Sequence, residues 1–495
     1  MNLTLLLDMV AEGMPDRVLV GAIKTGLTAT GLRERAISAG GLITGYDPDT
    51  VVYLGGNSPA FAVALFGAAY AGRKFLPVSY RLGGEQLRQI LARQDNPLVI
   101  TDTPELTGGG RAITIREFVR GVSEPTSEPG TPDFDPDAVA VLLMTSGTTA
   151  APKSAVLRHR HLTSYIFGSV EFAAAHEKEA TIVSVPPYHI AAVASLLSNL
   201  YAGRRICYLD QFTAAGWLTL VREQQITHAM VVPTMLVRIV DELTSRGEYG
   251  PPSLRSLSYG GAAISERVLA RALALFPVTG FVNAYGLTET ASSIAVLGPE
   301  EHRQAQCSDN PRLRARLLSV GRPLPDVEIE VRGPDGSPCP PGEAGEIVVR
   351  GPQVAGEYVE TGSQVDEQGW FPTRDHGYLD QDGYLFVRDR ADDTIIRGGE
   401  NIAPSEIETV LTRHPDVTDA AVTGVPDEEW GQRIAAFVVL APGASLDAAT
   451  LRAWTLARLR RSKTPDEIVF LGELPRTPTG KVLRRELVSM VAGHG

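Results

Sequence analysis

Short apolar runs alternate with helical patterns through the first two thirds of this chain, and that rhythm restricts its fold more than any other feature. VVYLGG at 51–56 is followed by the Ala-rich run AFAVALFGAAYAG from Ala60 to Gly72, and then by PLVITD at 97–102. The outer runs read as buried strands and the middle one as a helix, so the succession predicts βαβ units and mostly parallel sheets. A Pro, Ser and Thr-rich stretch from Ser123 to Pro136 reads as a surface loop rather than a domain boundary. At 495 residues the chain is too long for one hydrophobic core, because single cores stop growing near roughly 250 to 300 residues, so it divides into domains.

From Ser319 onward the texture changes. VEIEVRGPDGSPCPPGEAGEIVVRG at 327–351 alternates strand patterns with turns at Pro334-Asp335-Gly336 and Gly342, which predicts an antiparallel β subdomain. A charged, Gly-punctuated stretch from Arg388 to Asn401 leads to a predicted helix capped at Ser405, with Glu408 three residues on. Strand-like AAVTGV and RIAAFVVL follow, then a basic helix ending near LARLRRSK. The expected fold class is α/β: a large N-terminal domain of mostly parallel sheets with a β subdomain, plus a small α+β C-terminal domain of about 100 residues.

Composition narrows the function. With 46 basic and 58 acidic residues the formal charge is −12, which argues against nucleic acid or an anionic membrane as partner while leaving room for a local basic patch. The three cysteines, Cys207, Cys307 and Cys339, are odd in number and lack CxxC spacing, so neither a disulfide framework nor a zinc site is indicated. The start MNLTLLLDMV has no basic segment before its apolar run, and Asp8 interrupts it, so no secretory signal is read there. The Ala60–Gly72 run falls short of the roughly 20 residues that span a bilayer. The expectation is a cytoplasmic protein acting on a small molecule, with no membrane span and with homo-oligomer formation left open.

The strongest local signal is TSGTTAAPKS at 145–154, directly after the apolar run VAVLLM. Small residues let backbone N–H groups approach phosphate oxygens, and a lysine neutralises their charge. Gly147, Lys153 and Ser154 stand where a GxxxxGKS phosphate loop needs them, but the sixth position is Pro152, which has no N–H to offer, so that loop type is disfavoured. On these residues alone a hydroxyl-rich turn is an equal alternative.

The other stretches decide between them. TSGTTAAPKS, YGLTET (285–290), TRDHGYLDQDGY (373–384), DRADDTIIRGGENIAPSEIE (389–408) and PRTPTGKVLRREL (475–487), in that order, resemble the ANL adenylate-forming superfamily. That superfamily contains acyl-CoA synthetases, peptide-synthetase adenylation domains and luciferases. The resemblance implies an N-terminal adenylation domain over 1–391, a mobile C-terminal domain over 392–495, and two half-reactions. ATP and a carboxylate give an acyl-adenylate and pyrophosphate, and a thiol then displaces AMP.

Carried over position by position, Thr145, Ser146, Gly147, Thr148, Thr149 and Lys153 resemble the phosphate loop, with Ala150 and Ser154 standing where glycine is usual. Gly260, Gly261 and Ala262 resemble the segment against adenine, and Tyr285 the ring packed near it. Thr288 and Glu289 fall in the same motif, Glu289 resembling a Mg²⁺ ligand. Asp375 resembles the acid that holds the ribose hydroxyls, Arg390 an arginine on ribose or phosphate, and Asp392 the hinge. Lys481 resembles the lysine that reaches the carboxylate and α-phosphate during adenylation. Gly399 resembles the loop brought to the pantetheine arm, and Arg461, with Arg458, Arg460 and Lys463, offers charge to the phosphates of coenzyme A, although a solvated helix face explains the run as well.

PPYHIAAV at 186–193 resembles the acyl-pocket motif, so that Tyr188, His189, Val193 and Gly286 are expected around the acid. His189 falls where amino-acid-activating relatives carry an aspartate, and a buried substrate ammonium without that partner is costly. The implied activity is an AMP-forming ligase of a hydrophobic carboxylic acid and coenzyme A, using ATP and Mg²⁺. A stand-alone ligase loading a separate carrier protein, or a catalytically silent nucleotide- or acyl-binding relative, is the alternative.

Overall fold

The computed structural model describes residues 1–123, 135–145, 153–390, 393–397, 400–427, 430–477 and 480–491, with the side chains of residues 389, 390 and 401 excepted. Among them, strands Thr50–Leu54, Lys74–Pro77, Pro97–Thr101 and Ala112–Thr114 pair in parallel, and helices Pro59–Tyr70 and Gly84–Leu91 lie between successive strands in the chain. This is the βαβ arrangement expected from the apolar runs. The antiparallel hairpin Val139–Thr145 and Lys153–Arg158 extends that sheet, and Glu357–Tyr358 and Gly362–Ser363 complete it to eight strands. Residues 60–70 are buried on every side, as suits a helix that is apolar all round. Among the described residues no helix is long and apolar enough to cross a membrane.

A second, nine-stranded sheet is parallel over Ala180–Val183, Arg205–Tyr208, His228–Val231, Ser256–Gly260 and Gly280–Leu287, then turns antiparallel through Ser292–Leu297. Beside it, Glu328–Arg332, Gly345–Arg350, Phe371–Leu379 and Leu385–Arg390 form the antiparallel β subdomain. Beyond Ile395 a smaller α+β unit packs helices on the sheet Val417–Asp427, Gly431–Leu440 and Glu467–Leu471, around a core of its own that includes Ile395, Ile407, Leu411 and Val438.

Two local expectations fail there. The helix after the RGGEN stretch is Pro404–Thr412 with Ala403 at its N-cap, not Ser405. Proline sits without penalty in the first turn, where its missing N–H had no helical partner, so the helix starts ahead of the hydroxyl. Glu408 instead accepts from Val422 N–H and from Arg484, both at 2.8 Å. The expected basic helix stops at Leu456, and Arg461–Lys463 form a separate short turn. Arg458 lies over the Trp454 ring and Lys463 pairs with Glu406 at 2.5 Å, so the basic residues do not share one helix face.

Helix His159–Ser169 carries two buried imidazoles. Leu3 N–H donates to His159 Nδ1 and Arg158 N–H to His161 Nδ1, both at 3.2 Å, so each ring must offer a bare nitrogen. Burial lowers both from 6.5 to about 4. Below 6.5 the unfolded chain takes up protons that the folded chain refuses, so the folded state loses stability as pH falls from 6.5 toward 4, by about 3 kcal/mol for each ring. Urea unfolding at pH 7.5 and pH 5 is expected to show about two thirds of that loss, roughly 2 kcal/mol for each ring, and His161→Gln to shrink it; equal pH sensitivity in the variant would count against it.

Candidate active site

The residues expected at the phosphates begin at the hairpin. Thr145 and Lys153 face each other as its last rung, and residues 146–152 connect them. Ser146, Gly147, Thr148 and Thr149 lie outside the described residues. Lys153 Nζ stands over the Tyr358 ring, 5.2 Å from its centroid, and the Tyr358 hydroxyl donates to Glu289 Oε1 at 2.5 Å. Glu289 is buried in the short turn Thr288–Thr290, and its backbone carbonyl accepts from Ala355 N–H and Gly356 N–H. Ala291 and Ser292 then take φ of 53° and 120°, a costly left-handed stretch for side chains with a Cβ, which reverses the chain into the antiparallel strand. Lys153 and the acid of YGLTET, 136 positions apart, are thus joined through one tyrosine.

Among the residues expected at the nucleoside, Gly260 lies in register with Ala284 on the next parallel strand. A Cβ at Gly260 would come within 2.1 Å of the Ala284 carbonyl oxygen, so only glycine allows this approach. Gly261 follows at φ +85°, and Ala262 continues the turn. The Tyr285 hydroxyl donates to Asp375 Oδ2 at 2.6 Å across from the β subdomain. Asp375 is buried, its own N–H donates to Thr373 Oγ1, and its register partner is Arg390, whose side chain is outside the description. An aromatic wall and a buried carboxylate with two acceptor oxygens suit a nucleoside.

The residues expected around the acid lie mainly in the stretch leading into helix Ile190–Ala202. The rings of Tyr188 and His189 lie 4.6 Å apart, and Tyr80 packs edge-on against Tyr188 at 5.8 Å. Burial, and to a lesser degree Arg81, lowers the His189 imidazole to about 4, so it is neutral at ordinary pH. Its Nε2 is buried and has no hydrogen-bond partner among the described residues. Val193 is fully buried in the main core rather than at an open wall. Gly286 sits at a bulge against Ser292.

The last element comes from the C-terminal unit. Gly480, at φ +86°, sits against Thr234 in the first turn of helix Pro233–Arg246; a Cβ there would lie 2.9 Å from the threonine side chain. Lys481 follows, half-buried, in a turn closed by Thr477 N–H to its carbonyl at 2.7 Å. Arg476 braces the turn, donating to Gly480 O at 2.6 Å and to both oxygens of Asp419. The structure thus sets Lys153 and Glu289 against the same tyrosine, pairs Tyr285 with Asp375, and sets the Lys481 turn against the large part. Asp392 and Gly399 lie outside the described residues, and Arg461 is exposed. Tyr358 and Thr234 escaped the sequence reading because one lies in a two-residue strand and the other at a helix start, neither with a motif signal, and Thr373 because it only opens the motif in which Asp375 was singled out.

Residues 7–359 match the AMP-binding enzyme family and residues 406–481 the AMP-binding enzyme C-terminal domain. The chain is 35% identical to a feruloyl-CoA synthase from Amycolatopsis sp over 93% of this chain and 90% of the relative. It is 34% identical to a fatty acid–[acyl-carrier-protein] ligase from Streptomyces coeruleorubidus over 91% and 88%. The solved o-succinylbenzoate CoA synthetase of Bacillus subtilis, in complex with its acyl-adenylate intermediate, matches with a TM-score of 0.83 and 28% identity over 97% of each chain. A further structure of that enzyme holds ATP and magnesium ion.

Proposed function

The chain belongs to the AMP-binding enzyme family, and we propose that it is an AMP-forming acid:CoA ligase that activates a hydrophobic carboxylic acid as its acyl-adenylate and then forms the CoA thioester. The observation that carries this reading is the meeting of three motifs with the Lys481 turn: Lys153 with Glu289 through Tyr358, Tyr285 with Asp375, and Gly480 against Thr234. A carboxylate is a poor electrophile. One of its oxygens attacks the α-phosphorus of ATP, the bond to pyrophosphate breaks, and the adenylate leaves the acyl carbon with a good leaving group. A thiol then attacks that carbon, AMP departs, and the thiol proton goes to solvent.

The residues divide the work. Asp375 accepts from the ribose hydroxyls, and Tyr285 orients it and packs near the base. Lys153 and Lys481 offset charge on the phosphates, which counts most as negative charge redistributes in the transition state. Glu289 suits Mg²⁺, a cation that keeps several waters and takes few protein ligands; among the described residues no cluster of three acids, histidines or cysteines would cage it. Bound there with the triphosphate, Mg²⁺ supplies charge neutralisation. The neutral His189, with no carboxylate beside it, favours an acid without an ammonium group. Rotation of the C-terminal part over 392–495 about Asp392 would exchange Lys481 for Gly399, with Arg461 near the incoming coenzyme A. We place the reaction in the cytoplasm, where ATP and reduced thiols are available.

Pyrophosphate release across a panel of acids, with coenzyme A, with a phosphopantetheinylated carrier protein, and with neither, tests this function. Release with thioester on coenzyme A is expected; thioester on the carrier protein alone would favour the second reading, which the likeness to a carrier-protein ligase keeps in view. Release with no acid would overturn both. Glu289→Gln is expected to move the Mg²⁺ dependence to about tenfold higher concentration, a charge-assisted ligand being lost. An unchanged magnesium titration would leave Glu289 as the structural partner of Tyr358.

A further inference from the structure

Glu360 is an exposed turn residue, and such a side chain ordinarily leaves its carboxylate in water. Here both oxygens are committed to one residue. Ser154 N–H donates to Glu360 Oε2 at 2.9 Å, and Ser154 Oγ donates to Oε1 at 3.1 Å. Ser154 itself is buried.

The reason is in the pairing. The short strand Glu357–Tyr358 meets strand Lys153–Arg158 at Tyr358 and Ala155, and Val359 N–H reaches Ser154 O at 2.9 Å. Beyond that point no further strand among the described residues accepts the Ser154 N–H, and an orphaned buried donor is costly. The carboxylate takes the place of the missing carbonyl and adds a bond to the hydroxyl, so the rung next to Lys153 is closed by charge-assisted bonds. Tyr358, two residues before Glu360, carries the ring under Lys153 Nζ and the hydroxyl on Glu289. Glu360 therefore ties the strand that emits Lys153 to the segment that holds its ring partner. Ser154 is one of the two positions where glycine was expected, and its hydroxyl supplies half of this tie.

We propose that Glu360 is a positioning residue for the triphosphate of ATP: by clamping Ser154 it fixes the direction in which Lys153 leaves its strand, and so keeps the ammonium over the Tyr358 ring. The inference rests on the ATP-dependent function above.

The experiment is titration calorimetry of the full-length enzyme with Mg²⁺ and α,β-methylene-ATP, a probe independent of acid and acceptor, together with steady-state kinetics. Glu360→Ala is expected to weaken analogue binding about tenfold, the loss of a charged hydrogen bond, and to raise the KM for ATP by a similar factor. The KM for the acid and kcat should stay within about twofold. Glu360→Gln retains one acceptor oxygen and should recover to within about threefold of the parent. In a Ser154→Ala background, Glu360→Ala should cost less, since one of the two bonds is already gone. Unchanged analogue binding in Glu360→Ala overturns the proposal, as does a joint loss in melting temperature, kcat and both KM values, which would assign Glu360 to the fold. If the parent enzyme fails to bind the analogue, the ATP-dependent function falls with it; if the parent binds and Glu360→Ala binds equally, only the positioning role falls.

Discussion

Lys481→Ala is expected to slow adenylate formation by about 10²- to 10³-fold while leaving thioester formation from supplied acyl-adenylate nearly unchanged. The argument starts from the turn. Gly480 takes φ +86°, which a residue with a Cβ adopts only under strain, and it lies close enough to Thr234 that a Cβ would have to displace the threonine. Thr477, Arg476 and Asp419 hold the turn by hydrogen bonds, so Lys481 is presented from a braced element rather than a loose tail. In the proposed role, charge that spreads onto the phosphate oxygens as the acid attacks is met by a cation fixed in advance, which stabilises it without reorganising. The second half-reaction breaks the acyl–phosphate bond instead, with AMP as leaving group, and in the proposed rotation about Asp392 the lysine has by then left the site. Pyrophosphate exchange reports the first step, and capture of synthetic acyl-adenylate by coenzyme A reports the second. Equal losses in both would mean that Lys481 serves a single arrangement throughout.

What the sequence made legible follows from the range over which each signal acts. The strand and helix alternation depends on apolar spacing within a few residues, and Thr50–Leu54, Pro59–Tyr70 and Pro97–Thr101 formed where the pattern put them. Tyr285 and Asp375 were readable as motif members, but their hydrogen bond joins residues 90 positions apart, across two sheets, and no local pattern encodes it. The lowered titration of His189 likewise comes from packing, since the letters around it do not state how much water reaches the ring. Ser405 misled because a hydroxyl before an acid is a sound capping signal until a proline in the first turn overrides it. The basic run misled because its arginines and lysine continue past Leu456, where the helix ends. Glu360 carried no signal at all: an acidic residue in a turn is ordinary, and its role comes from the rung that its neighbouring strand leaves open.

Gly286→Ala is the second large effect, expected to cut adenylate formation by about 10²-fold with a fold that stays cooperative. A Cβ on Gly286 would lie 1.9 Å from the Ser292 carbonyl oxygen and 2.6 Å from its carbon, both backbone atoms that cannot rotate away. The pairing of Gly280–Leu287 with Ser292–Leu297 already shifts register between Tyr285 and Gly286, so the strain is relieved by opening the strands at that bulge. Tyr285 on one side and Glu289 on the other then move together, and with them the contacts to Asp375 and Tyr358. A displacement near 1 Å at reacting groups is enough for a loss of about 10²-fold. Because both ends of the motif shift, the KM for ATP and kcat should change together, unlike the selective KM effect of losing Glu360. Pyrophosphate exchange at saturating and limiting ATP separates these cases, and circular dichroism melting checks that the variant folds. Near-normal exchange in a folded Gly286→Ala protein would show that the bulge yields without moving Tyr285, and would remove Gly286 from the site.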